Sequence, residues 1–178
     1  GWTVRRKSLH FKSYEEVAKK FAKLLGMDPW LITPMYAQCG QVSFSEPGGL
    51  ECVQGHVDAL LGKIRRKHKE YGINEKPFVV VKADNGTHGR GIMTVRDAIE
   101  LSDLNDCTRN KMSAIQDGHA ITEVIIQEGV ITHERVNDAV AEPVVYMIDR
   151  YVVGGFYRVH ADRGVDENLN APGASFVP

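Results

Sequence analysis

Residues 77–95 read PFVVVKADNGTHGRGIMTV. Phe78-Val79-Val80-Val81 is a short apolar run, rich in β-branched residues and bounded by Pro77 and a polar loop. It predicts a buried strand ending at Lys82. Ile92-Met93-Thr94-Val95 predicts the return strand, and Gly86, Gly89 and Gly91 punctuate the loop between them. Two readings stand. In one, the loop is a lid over the phosphates of a nucleotide. Lys82 would set an ammonium at a fixed point, the glycines would let backbone N–H groups approach phosphate oxygens, and Thr87, His88 and Arg90 would add side-chain donors. In the other, Asp84-Asn85-Gly86 is ordinary turn chemistry in a β-hairpin. The segment lacks G-x-x-x-x-G-K-[ST], so it is not a P-loop. Its glycines are spaced G-x-x-G-x-G and a strand follows, which excludes a Rossmann turn.

Working outward, Ser13-Tyr14-Glu15-Glu16 is a capping box that predicts the start of a helix. Val17, Phe21, Leu24 and Leu25 form its apolar face, and Gly26 stops it. Residues 28–50 are turn-rich, with Pro29, Pro34, Pro47, Gly48 and Gly49, and read as irregular. Val53, Val57, Leu60, Leu61 and Ile64 recur at helical spacing and predict a second helix ending near Tyr71-Gly72. Short helices are expected over 97–104 and 109–115. From Thr122 the pattern turns to strands at 124–127, 143–148 and 151–159, with a tight turn at Asp149-Arg150. Helices precede and separate hairpins without βαβ alternation, so the expected class is α+β with mainly antiparallel sheets. The expected division is a helical leading region (1–76), a lid subdomain (77–125) and a C-terminal subdomain (126–178).

Apolar residues make up 43% and charged residues 25% of 178, and the formal net charge is −1. This is the balance of a globular chain, with no sign of a nucleic-acid or membrane partner. The basic run Arg65-Arg66-Lys67-His68-Lys69 reads as a solvated helix end. Cys39, Cys52 and Cys107 show no C-x-x-C pattern, so neither a disulfide framework nor a zinc site is expected. Reduced thiols in a cytoplasmic protein fit best. The ends, Gly1 without Met and Pro178 after a Gly-Pro segment, read as those of a piece of a longer protein. Nothing in the residues assigns an oligomeric state.

Three further segments carry chemistry. Val124-Ile125-Ile126-Gln127-Glu128-Gly129-Val130 is a strand turning polar. It is either a routine strand end or a hinge whose backbone pairs with an adenine edge. Arg158 lies among apolar neighbours and needs an anion, either a phosphate or a surface carboxylate. Asp166-Glu167-Asn168-Leu169-Asn170-Ala171-Pro172-Gly173 packs carboxylates and amides together. Magnesium favours oxygen ligands of this kind, although an Asx-rich loop reads the same way.

Lysine and glycine lid, hinge, strand arginine, then an Asn/acid loop: this order resembles the ATP-grasp superfamily, which includes glutathione synthetases and D-alanine ligases. A closer resemblance is to the glutamate–cysteine ligase family of certain proteobacteria. It rests on EKPFVVVKADNGTHGRGIMTV, EVIIQEGV, AEPVVYMIDRYVVGGFYRVH and DENLNAPG, and on DPWLITPMYAQCG and ECVQGHVDALLGKIRRKHKEYGI before them. The likeness covers nearly the whole chain, which would form the family's central to C-terminal part. The family's lid often reads Ala-Gly-Thr-Tyr-Gly-Met-Gly, where this chain has Asn85, His88 and Arg90.

The resemblance implies an ATP-grasp-like fold, with ATP held between two lobes under residues 86–91 and beside Gln127, Glu128, Gly129 and Val130. Lys82 and Arg158 would neutralise phosphate charge. Magnesium would sit at Asn168, Asn170 and a carboxylate drawn from Glu142, Asp166 and Glu167. The implied substrates are L-glutamate and L-cysteine, joined through an acyl phosphate as γ-glutamylcysteine, the first step of glutathione synthesis. Rival expectations are another ATP-grasp carboxylate–amine ligase, such as a glutathione synthetase, and a nucleotide-binding fragment inactive alone.

Overall fold

Val79, Val81 and Ala83 alternate inward along β2 (Val79–Ala83) and are buried, while Val80 and Lys82 point to the other, half-covered face. Such alternation marks a strand with one face on a core. β2 runs antiparallel to β3 (Ile92–Val95), with Val79 opposite Val95 and Lys82 opposite Ile92. The strand–lysine–loop–strand expected from residues 77–95 is therefore present. In this computed structural model the described residues are 6–46, 48–85, 91–113 and 121–178. The lid positions Gly86, Thr87, His88, Gly89 and Arg90 lie outside them.

The chain forms two units, Gly1–Gly129 and Val130–Pro178. In the first, a four-stranded sheet has the order β1-β4-β2-β3, where β1 is Tyr36–Cys39 and β4 is Val124–Glu128. Helix α2 (Glu51–Tyr71) packs on it through Val53, Val57, Leu60, Leu61 and Ile64, all buried against Val79, Val81, Val124 and Ile126. Gly72 ends α2 in the left-handed region at φ 67°, where a Cβ is costly. The helix before residue 76 and the strands after it share one core, and the two units divide after Gly129.

Helix α1 spans Lys7–Leu25, starting six residues before the expected Ser13. Its cap comes from far along the chain. Asp84, fully buried, accepts from Ser8 N at 2.7 Å and from Ser8 Oγ at 2.6 Å. A carboxylate at a helix N-terminus satisfies orphan N–H groups and the dipole together. The buried face of α1 is Ser8, Ala18 and Ala22, whereas Val17, Phe21, Leu24 and Leu25 are exposed. Small residues allow the close approach that the larger stripe does not make. A 3-10 turn (Ala98–Leu101) with an Asp97/Glu100 capping box and helix α3 (Asp106–Ser113) complete the unit.

A second correction concerns the cysteines. Cys39 at the end of β1 and Cys52 in the first turn of α2 form a disulfide, with Cα atoms 6.4 Å apart. β1 lies in the stretch read as irregular, so no spacing rule could bring the two sulfurs together. The packing of α2 on the sheet does so.

The second unit is a four-stranded antiparallel sheet, β5-β6-β7-β8. Its long hairpin joins β6 (Ala139–Ile148) to β7 (Tyr151–His160) through Asp149-Arg150, and Asp149 takes φ 54°. β5 (Arg135–Val136) and β8 (Ser175–Val177) flank it. Every pairing in both sheets is antiparallel, in line with the expected class. Among the described residues no helix is long and apolar enough to cross a membrane.

Candidate active site

Lys82 leaves the half-covered face of β2 and donates to Gln127 Oε1 on the neighbouring β4. Its ammonium lies 5.7 Å from the centre of the Phe11 ring. No carboxylate is among its partners in the described residues. Burial, and then the nearby Lys7 ammonium, push the Lys82 pKa down to about 8. A desolvated cation beside a second cation is unfavourable until an anion joins them.

Lys7 is the residue that sequence reasoning missed. Its Nζ donates to Ala83 O at 2.7 Å and to Asn85 O at 3.1 Å, on the strand end and loop that follow Lys82. Burial lowers its pKa, opposed by the Asp84 carboxylate. One signal was available: a cation in the first turn opposes the helix dipole and needs a reason to be there. Gln38 Nε2 reaches Asp84 Oδ2 at 3.4 Å, so β1, α1 and β2 meet at this carboxylate.

Gly91, the last glycine of the candidate lid, has φ 62°, and a Cβ there would fall 2.7 Å from Ile121 Cδ1. The backbone conformation favours glycine, whereas the Ile121 methyl could move aside.

At 127–130 the backbone is partly committed. Glu128 N donates to Met35 O at 2.8 Å and Gly129 N to Phe78 O at 2.9 Å. The Glu128 carboxylate is buried and accepts from Trp30 Nε1 at 2.9 Å and Met35 N at 2.8 Å. Trp30 is held in turn by Asp28, which caps the 3-10 turn Pro29–Leu31. The Lys67 ammonium, then the Trp30 N–H, hold the Asp28 carboxyl below its usual range. Gly129 has a packing reason, since a Cβ there would meet the Phe78 ring at 2.1 Å. An adenine edge at this segment would have to use carbonyls or Val130, because the Glu128 and Gly129 amides are taken.

In the second unit, Glu142 and Arg158 sit directly opposite on β6 and β7. Arg158 Nη1 donates to Glu142 Oε1 at 2.6 Å. Arg158 Nε is buried and has no hydrogen-bond partner among the described residues. Two residues on, the buried His160 accepts from Asp162 N at Nδ1, so Nε2 carries the hydrogen and donates to Pro172 O at 3.0 Å. This bond pins the Pro-Gly end of the Asn/acid loop to β7.

Within that loop Asn168 Oδ1 accepts from Asn170 N at 3.0 Å, an Asx turn. Glu167 accepts from Gly164 N at 2.7 Å and from Arg163 Nη1 at 2.7 Å. The Gly164 N–H first and Arg163 second lower its pKa. Both asparagines are exposed and Leu169 between them is buried. Among the described residues the carboxylates Glu142, Asp166 and Glu167 belong to no cluster of three ligand atoms. The one such cluster is Cys39, Cys52 and His56. The loop's oxygens nevertheless suit a hard cation that takes one or two protein carboxylates plus phosphate and water.

The chain thus offers a cationic, desolvated strand end in one unit and an arginine with a spare buried donor, plus an oxygen-rich loop, in the other. No curated protein matches the chain. A crystal structure from Methylobacillus flagellatus KT, provisionally assigned as a gamma-glutamylcysteine synthetase, is 54% identical, with a TM-score of 0.87. The match covers 99% of this chain and 42% of that one, so the chain spans less than half of its relative's length. The profile of the GshA family, glutamate-cysteine ligase, matches residues 1–178. From end to end, this chain belongs to the glutamate-cysteine ligase family.

Proposed function

We propose that the chain carries the nucleotide-handling part of an ATP-grasp-type ligase that joins the γ-carboxyl of L-glutamate to the amine of L-cysteine. The observation that carries this reading is Lys82, desolvated beside Lys7, with an amide but no carboxylate as partner. Such a cation is organised for an arriving polyanion. Family membership supports the choice of substrates.

In this reading Lys82 neutralises phosphate charge as ATP binds, and Lys7 holds the strand end and loop in place through Ala83 O and Asn85 O. Gly86, Thr87, His88, Gly89, Arg90 and Gly91 cover the phosphates, and the 127–130 segment borders the adenine. Arg158 adds a guanidinium contact through its Nε–H, with Glu142 fixing its orientation. Bound magnesium would supply charge neutralisation on the phosphates, with oxygens of Asn168, Asn170, Asp166, Glu167 and Glu142 as its candidate holders. The glutamate γ-carboxylate takes the γ-phosphoryl group of ATP, releasing ADP, and the cysteine amine then displaces phosphate from the acyl phosphate and loses a proton to form the amide. The protein's share is positioning, charge and exclusion of water, and no nucleophilic side chain is required.

The test is amino-acid-dependent phosphate release from ATP, screened over acceptor amines with the complete protein. Release that needs both glutamate and cysteine supports the proposal. Release with γ-glutamylcysteine and glycine instead would assign a glutathione synthetase activity and reject it.

A further inference from the structure

We propose that Cys39, Cys52 and His56 form a reversible thiol–disulfide exchange site whose reaction partners are small thiols and small disulfides. The inference rests on this cluster alone and does not depend on the ligase reading. The Cys39–Cys52 disulfide joins the end of an edge strand to the first turn of α2. Its two sulfurs differ in access. Cys39 is buried at 1% exposure, while Cys52 and His56, one helical turn apart, are exposed. A disulfide with one shielded and one open sulfur is attacked at the open one.

Two features favour thiolate at this site. Cys52 lies in the first turn of a 21-residue helix, where the dipole favours negative charge. His56 Nδ1 lies 3.4 Å from Cys39 Sγ and 3.6 Å from Cys52 Sγ. The same nitrogen is 2.9 Å from Cys52 O, so it carries the hydrogen, and this one donor has the Cys52 carbonyl and both sulfurs within reach. A cysteine that is open, near a helix N-terminus and beside a second cysteine has the features of a redox-responsive thiol.

The reaction balances without a further reagent. A small thiolate RS⁻ attacks Cys52 Sγ. The Cys39–Cys52 bond breaks, a mixed disulfide forms on Cys52, and Cys39 leaves as thiolate beside the His56 N–H. A second RS⁻ attacks the outer sulfur, releasing RSSR and the Cys52 thiolate. The two thiol protons end on the two cysteines, so protein disulfide and two RSH give protein dithiol and RSSR. Oxidation is the reverse.

The full chain is equilibrated in buffers spanning a wide range of reduced-to-oxidised glutathione ratios, acid-quenched, denatured and alkylated. Intact mass and peptide mapping then count the labelled cysteines. The expected result is one transition, from all three cysteines labelled to Cys107 alone, with a linked Cys39–Cys52 peptide on the oxidised side. C107S leaves the transition in place. H56A keeps both end states but slows exchange by about threefold or more, since the N–H that favours thiolate is lost. Labelling of all three cysteines at every ratio overturns the proposal, as does linkage through Cys107 or a wild-type exchange rate in H56A. Reduced protein that retains one zinc per chain by elemental analysis and resists oxidation also overturns it, and assigns the three atoms to a metal ion instead.

Discussion

Lys82 and Arg158 are the two cations proposed to meet phosphate, and the two units hold them in opposite ways. Lys82 is desolvated, close to Lys7 and matched only by an amide oxygen. Arg158 already has Glu142 at 2.6 Å across the hairpin, and its buried Nε has no hydrogen-bond partner among the described residues. The first is unfavourable in the fold and is relieved by an anion. The second is balanced within its own sheet and gains less from one. A charge that the fold leaves unmatched contributes more to ligand affinity than one the fold has already matched.

The largest expected effect follows directly. K82M removes the charge-assisted contact and should raise the dissociation constant of Mg-ATP by about 10- to 100-fold, as a lost charged hydrogen bond typically does. Calorimetric titration reads this. The same variant should melt at a higher temperature than the wild type, because the desolvated charge is gone. Loss of affinity together with loss of stability would break the contrast.

Next comes pH. The Lys82 pKa falls from 10.5 in the unfolded chain to about 8 in the fold. The folded state therefore binds fewer protons than the unfolded state between those values. The resulting penalty is fully present below pH 8 and is removed as the pH rises to 10.5, so this group makes stability increase across that window. ATP binding has the opposite trend. It requires the protonated lysine, so affinity should fall above pH 8 by up to about tenfold per unit. Denaturant melts and binding titrations at matched pH would show the two curves diverging, and K82M should flatten both.

R158M should weaken Mg-ATP by roughly tenfold or less, below the K82M effect, since Glu142 already competes for the guanidinium. An R158M loss larger than that of K82M would reverse the ranking. The smallest effect is expected away from both cations. W30F removes one donor from the buried Glu128 carboxylate while Met35 N remains. It should cost about 1 kcal/mol in a urea melt and leave ATP affinity within twofold of the wild type, a small change on the scale of tenfold per 1.4 kcal/mol.

What could be read from the residues was what local pattern determines. The β-branched run into Lys82 and its return strand, the helical spacing of Val53 to Ile64 with Gly72 behind it, and the turn at Asp149-Arg150 all took the expected form. What could not be read depended on distant partners. The start of α1 is set by Asp84, whose carboxylate replaces a local cap, so the Ser13 capping box signal pointed too late. β1 is a short edge strand in a proline-rich stretch, held by pairing with β4 rather than by its own pattern. Lys7 and the Cys39–Cys52 pair follow from these two placements. Arg158 was read as a cation in need of an anion. That its register would set Glu142 directly opposite was beyond a single strand's pattern.

Lys82, in the proposed function, is held partly neutral until a nucleotide's phosphates arrive. Titrating Mg-ATP at pH 8 in two buffers of different ionisation enthalpy tests it most directly. At that pH Lys82 is about half protonated, so binding should take up roughly half a proton per chain, and K82M should abolish the uptake. Binding with no proton uptake, or the same uptake in K82M, would contradict the account.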